Sequence, residues 1–194
     1  MARNDYPEKA LYWVDVETSG LVAHQHLLLE VACLVTDLNL NLLDETGFQA
    51  KILHRRQTLV SARERADDVV RDMHDRSGLW DACADPTQAT PLPEVDAALH
   101  TYIRGLNPEV RTGRIAGNSV RLDLNFLEQH LPKTAGHMVY RMMDVSSLAG
   151  AARWWAGAPT FEKKYAHTAM SDIRESIAEL SWLRKRLGLT QAAA

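Results

Sequence analysis

Residues 11–18 set Leu11, Trp13, Asp15 and Glu17 on one face of an extended segment and Tyr12, Val14 and Val16 on the other. Both faces are largely apolar, the pattern of a central strand covered on two sides. LLLEVACLVTD (27–37) predicts a second strand and, after the short LNLN turn, LLDETGFQAKILH (42–54) a third. Three strands in quick succession predict an antiparallel meander. From Ser61 the period becomes helical, with Ala62, Ala66, Val69, Val70 and Met73 at spacings of three and four, until Ser77 and Gly78 interrupt it. ADPTQATPLP (84–93) reads as a loop because its prolines leave no room for a regular element. PEVDAALHTYIRGL (93–106) predicts an amphipathic helix, GRIAGNS (113–119) a short strand ending in a turn, and DLNFLEQHLP a helix opening near Asp123 and stopped by Pro132. MVYRMMDV (138–145) predicts another strand and SSLAGAARWWAG (146–157) another helix. A final helix over about 168–187 carries Ile173, Ile177, Leu180 and Leu187 at core spacing. Helices alternating with strands after a meander predict an α/β sheet with helices on both faces. The expectation is one domain over 1–194, with loose ends at 1–9 and 189–194.

Composition narrows the chemistry. The chain has 194 residues, 46% of them hydrophobic and 24% charged, which suits a chain with a sizeable core and argues against wholesale disorder. A formal net charge of −3 does not suit a protein that coats long nucleic acid, where affinity comes from neutralising many phosphates. It leaves room for a short anionic substrate in a local pocket. Cys33 and Cys83 lack metal-ligand spacing and suggest a reducing compartment. The polar MARNDYPEKA start and the absence of an apolar run of about 18 residues lead to the expectation of a soluble, cytoplasmic protein without membrane attachment.

Asp15 and Glu17 interrupt an otherwise apolar strand, where an unpaired buried charge costs several kcal/mol. Two residues apart on a strand, they leave the same face. Asp123 stands where GNSVRL turns from strand to helix, and Asp172 lies in HTAMSDIRES, five residues after His167. On one continuous helix that separation would turn the two side chains about 140° apart. With Thr168 as N-cap, His167 instead precedes the helix, and Asp172 lies on its first turns, where the helix N-terminus favours an anion. Four converging carboxylates repel and raise one another's pKa unless divalent cations match their charge. Oxygen donors without cysteine or paired histidine suit Mg²⁺ or Mn²⁺ rather than zinc. Two such ions about 4 Å apart activate a water and stabilise the leaving oxygen of a phosphodiester, and a nearby histidine takes the proton.

VDVETSGL, GNSVRLDLNFL, YRMMDVSSL and HTAMSDIRESIAEL resemble, in order and from about 11 to 187, the motifs of the oligoribonucleases. These belong to the exonuclease superfamily named for its Asp-Glu-Asp-Asp acids and a histidine. The resemblance implies a ribonuclease H-like fold with a mixed five-stranded sheet, a homodimer, and a 3′→5′ exoribonuclease that hydrolyses dinucleotides and very short RNA to mononucleotides. By the same resemblance Asp15, Glu17, Asp123 and Asp172 would hold two Mg²⁺ or Mn²⁺ ions and His167 would be the general base. Leu21 would wedge between two bases, and Ser119, Arg141 and Ser146 would cap the 5′ phosphate. His74 would reach that phosphate from the partner subunit.

Two departures from the family pattern stand out. Val69 occupies a position where some members carry a base-stacking tryptophan, and base stacking is worth roughly 1–3 kcal/mol. ETSGL replaces the more familiar glutamate-methionine-threonine-glycine-leucine run. Val69 leaves open a broader exonuclease of the same superfamily, acting on single-stranded DNA or longer RNA. A non-catalytic binding module of the same fold is the remaining alternative, and the complete acid set argues against it.

Overall fold

The computed structural model describes residues 8–162 and 168–189. Its sheet has five strands: β1 (Ala10–Thr18), β2 (Leu28–Thr36), β3 (Phe48–Lys51), β4 (Gly113–Gly117) and β5 (Val139–Asp144), in the order β3-β2-β1-β4-β5. The meander β1-β2-β3 is antiparallel, whereas β4 runs parallel to β1 and β5 parallel to β4. Between β3 and β4 come α1 (Arg56–Arg65), α2 (Asp68–Ser77), α3 (Leu79–Ala82) and α4 (Leu92–Leu106). The helices α5 (Arg121–His130) and α6 (Pro132–His137) precede β5, and α7 (Val145–Ala156) and α8 (Ala169–Arg186) follow it.

The period-two alternation of β1 decides which helices lie where. Tyr12, Val14 and Val16 pack with Val95, Leu99 and Ile103 of α4 and with Leu124, Phe126 and Leu127 of α5. Leu11 and Trp13 face the opposite layer, with Val145 and Ala152 of α7 and Ile173, Leu180 and Leu183 of α8. Asp15 and Glu17, next in the odd series, therefore extend the α8 face toward the strand's C-terminal end. A smaller cluster of Leu29, Leu59, Trp80 and Cys83 seats α1 and α3 beside β2. Gly113 has a specific reason: a Cβ there would fall 2.1 Å from the Tyr12 ring, so only glycine lets β4 close against β1.

Several boundaries differ from the sequence expectation. The third strand is shortened to Phe48–Lys51, because the residues before it form a turn in which Gly47 N–H donates to Asp44 Oδ2 at 2.6 Å. The helical run begins at Arg56 rather than Ser61 and breaks at Ala66, which takes an extended backbone between α1 and α2. Pro132 stops α5 as expected, yet also opens the short helix α6 as its first residue, a position proline favours. The last helix matches its expected span and cap: Thr168 Oγ1 accepts from Ser171 N–H, and Ser171 Oγ accepts from Thr168 N–H.

Candidate active site

Three elements bring the acids together. Asp15 and Glu17 come from the C-terminal half of β1, Asp123 from the first turn of α5, and Asp172 from the first turn of α8. The pairing of β1 with β4 ends at Trp13–Ala116, so farther along that edge β1 lacks a strand neighbour. Asp123 fills the gap: its Oδ1 accepts from the Val16 backbone N–H at 3.0 Å. A carboxylate on α5 thus completes the strand's hydrogen bonding and is fixed beside Asp15 and Glu17.

Electrostatics show the convergence. Asp15 is pushed up to about 9, by burial first and then by the negative charges of Asp123, Glu17, Asp172 and Glu30. Burial, followed by Glu30, Asp172 and Asp123, raises Glu17 to about 7. Asp123, 6% exposed, also rises to about 7 through burial, against the pull of the backbone N–H groups it accepts from. Buried oxygens carrying this much unneutralised charge are what a hard divalent cation offsets. The donor set fits Mg²⁺ or Mn²⁺ in type. As placed, among the described residues, no group of three or more histidine, cysteine or acidic side chains stands close enough to hold an ion. His167, the expected base, lies outside the described residues, immediately before the Thr168 cap.

Glu30 is an acid that sequence reasoning missed. It stands opposite Glu17 in the β1–β2 register and is 7% exposed. Its Oε1 accepts from Gln49 Nε2 at 2.8 Å and lies 4.0 Å from Lys51 Nζ. A signal was available, since Glu30 is the one charge within an apolar run, as Asp15 and Glu17 are within theirs. Glu17, Glu30, Gln49 and Lys51 share a cavity of about 160 Å³ with His74 and Thr168.

His74 is enclosed in its own chain: its ring is 1% exposed, edge-on to Trp80 at 5.4 Å, and the Thr18 carbonyl accepts from Nε2 at 2.9 Å. Burial lowers its pKa, although the Thr18 carbonyl pulls the other way. The residue therefore belongs to the wall beside its own Glu17. Leu21 is 68% exposed at the turn leaving β1 and Val69 80% exposed on α2. The ETSGL departure has a local account: Thr18 Oγ1 donates to the Gly20 carbonyl at 2.8 Å, and Ser19 Oγ accepts from Leu27 N–H at 2.9 Å. Both hydroxyls hold the turn that presents Leu21.

Of the expected phosphate cap, the structure joins two members. Ser119 N–H donates to Ser146 Oγ at 3.1 Å, from a backbone with φ of +51°. Left-handed backbone at a non-glycine residue is strained, and such strain clusters at functional sites. Ser146 Oγ in turn donates to Asn118 Oδ1 at 2.9 Å, while Asn118 Nδ2 donates to Ser176 Oγ and Glu179 Oε2 of α8 at 2.9 and 3.1 Å. Asn118, Ser176 and Glu179 also escaped sequence reasoning, although positions 172, 176 and 179 form a polar stripe at helical spacing. Arg141 is exposed on β5 with its guanidinium 5.0 Å from the centre of the Tyr140 ring.

Comparison with known proteins bears on the family and the fold. The family model described as Exonuclease matches residues 12–180. The chain is 39% identical over 178 residues to an oligoribonuclease of Rhodococcus jostii, covering 90% of this chain and 86% of the relative. It is 37% identical over 193 residues to an oligoribonuclease of Xanthomonas campestris, covering 97% and 94%. A probable oligoribonuclease of Schizosaccharomyces pombe is 37% identical over 178 residues, 91% of this chain and 68% of that protein. Among solved structures, exonuclease I bound to the inhibitor BCBP aligns with a TM-score of 0.65 at 13% identity, and exonuclease I of Methylocaldum szegediense with 0.62 at 18%. The chain covers 42% and 41% of those two chains, and the likeness shows the shared ribonuclease H-like fold. No helix among the described residues is long and apolar enough to cross a membrane.

Proposed function

Because the chain belongs to the oligoribonuclease family of exonucleases, and so is a 3′→5′ exoribonuclease of the Asp-Glu-Asp-Asp superfamily, we propose that it finishes RNA breakdown by hydrolysing 5′-phosphorylated dinucleotides and very short oligoribonucleotides to mononucleotides, as a homodimer. The observation that carries this reading is the nearness of Glu17, Asp123 and Asp172 to the buried Asp15, whose pKa each of the three raises.

The family is divalent-metal dependent, and in this reading the four carboxylates hold two Mg²⁺ or Mn²⁺ ions. Such ions supply activation of a water and stabilisation of the leaving 3′ oxygen of the scissile phosphodiester. The chain's own residues do the rest. Asp123, held by the Val16 N–H, keeps a fixed orientation without rearranging when substrate arrives. His167 accepts the proton of the attacking water. Leu21, presented by the Thr18–Gly20 turn, separates the two bases. Ser119 donates its hydroxyl to the 5′ phosphate, Ser146 turns its own from Asn118 Oδ1 to do the same, and Arg141 swings from Tyr140 to pair with it, a charge-assisted contact suited to phosphate. A closed 5′ pocket leaves no path for a longer chain, so length selectivity comes from exclusion as well as attraction.

The test is a length series: 5′-labelled RNAs of two to seven nucleotides, with Mg²⁺ and with chelator. The dinucleotide is expected to turn over fastest, and chelation to abolish activity. Equal or faster cleavage of the seven-mer would sink the dinucleotide preference and favour a general trimmer of RNA or single-stranded DNA ends, the reading that exposed Val69 keeps in view.

A further inference from the structure

The strand order gives the site a direction. Ser119 and Ser146 lie beyond β4 and at the start of α7, to one side of β1. On the other side, against β2 and β3, lies the cavity walled by Glu17, Glu30, Gln49 and Lys51. A dinucleotide gripped by its 5′ phosphate on the β4 side, as the proposed function has it, crosses β1 and delivers its 3′-terminal ribose to that cavity.

Glu30 is costly where it stands. Every other residue of β2 is buried and uncharged, and like charges directly opposite on neighbouring strands destabilise a sheet. An apolar side chain would pack there without that cost. The carboxylate is instead steered by Gln49 and Lys51, and both contacts fall on Oε1. That leaves Oε2 to accept from something entering the cavity. We propose that Glu30, positioned by Gln49 and Lys51, reads the 3′-terminal ribose by accepting hydrogen bonds from its hydroxyls. It thereby favours ribose ends over deoxyribose ends and rejects ends that carry a 3′ phosphate. A ribose end offers two neighbouring donors to one carboxylate, whereas a 2′-deoxyribose end offers one. A 3′ phosphate brings its charge against both Glu17 and Glu30. This inference rests on the proposed dinucleotide polarity.

The experiment compares kcat and KM of the unmodified protein, Glu30→Gln and Gln49→Leu on three 5′-phosphorylated dinucleotides: all-ribose, 2′-deoxy at the 3′ residue, and 3′-phosphorylated. The unmodified protein should prefer the ribose end over the deoxy end by about tenfold, the scale of one hydrogen bond to a charged group. In Glu30→Gln that ratio should fall toward one, mainly through a higher KM for the ribose substrate, and the 3′-phosphorylated end should gain relative to the other two. Gln49→Leu, which loosens the carboxylate without altering it, should move the ratio in the same direction by less, and serves alone if Glu30→Gln does not fold. A structural loss would lower all three substrates together and leave the ratio unchanged. An unchanged ratio in a folded variant overturns the assignment while the dinucleotide function stands. An unmodified protein that cuts no dinucleotide overturns both.

Discussion

At the scale of single residues, Asp15 concentrates the electrostatic cost of the site. Its carboxyl is raised from 3.8 to about 9, so in metal-free protein the folded state holds a proton that the unfolded chain releases near pH 4. The associated stabilisation is complete below that pH and is lost as pH rises through about 9. Asp15→Asn removes the titration. Urea unfolding in chelator at pH 5 and at pH 8.5 should therefore show the variant gaining on the unmodified protein as pH rises, by about 1 kcal/mol or more, since one pKa unit corresponds to about 1.4 kcal/mol. The same variant should lose hydrolysis at every pH. A gap that stays constant with pH would remove the claim that Asp15 is buried among like charges.

At the scale of elements, helix starts do the positioning. The Thr168–Ser171 capping box fixes where α8 begins, and that start decides where Asp172 stands relative to β1. Thr168→Ala should cost about 1 kcal/mol, a typical value for a lost N-cap, read as a lower midpoint of thermal unfolding. It should lower kcat by severalfold with KM little changed, because the frayed turn carries an acid and not a base-binding surface. Asp96 shows the opposite case. Buried in α4, it accepts from Lys133 N–H and Thr134 N–H at 3.0 Å, capping α6 from another element. Around Thr168 the cap is local and legible in the sequence. Around α6 it comes from 36 or more positions away, which is why α6 could not be read and α8 could.

At the scale of the molecule, the mixed sheet places the phosphate-binding candidates on one side of β1 and the Glu30 cavity on the other. In the proposed function, length selectivity then depends on the 5′ end being recognised on the opposite side of β1 from the 3′ end. Removing the 5′ phosphate from a dinucleotide should slow the unmodified protein by at least about tenfold, the loss expected of charge-assisted contacts. Arg141→Ala should abolish that difference while still cutting the unphosphorylated substrate at the unmodified protein's rate. If the variant keeps the full dependence, Arg141 stays on Tyr140 and the cap lies elsewhere.

Local order along the chain was enough for the strand alternation, the last helix with its cap, and the placing of Asp15 and Glu17 on one face of an apolar strand, each a matter of periodicity or of a polar residue out of place among near neighbours. The family, and Asp123 and Asp172 as candidates, came from whole motifs following one another in order. Tertiary structure alone decided that Glu30 faces Glu17, that Asn118 ties the Ser119–Ser146 pair to α8, and that His74 is enclosed beside the Thr18 carbonyl of its own chain. Those relations depend on strand register and on contacts between distant segments. A one-residue shift in register would turn Glu30 to the other face, and nothing in the immediate neighbours of Glu30 states the register.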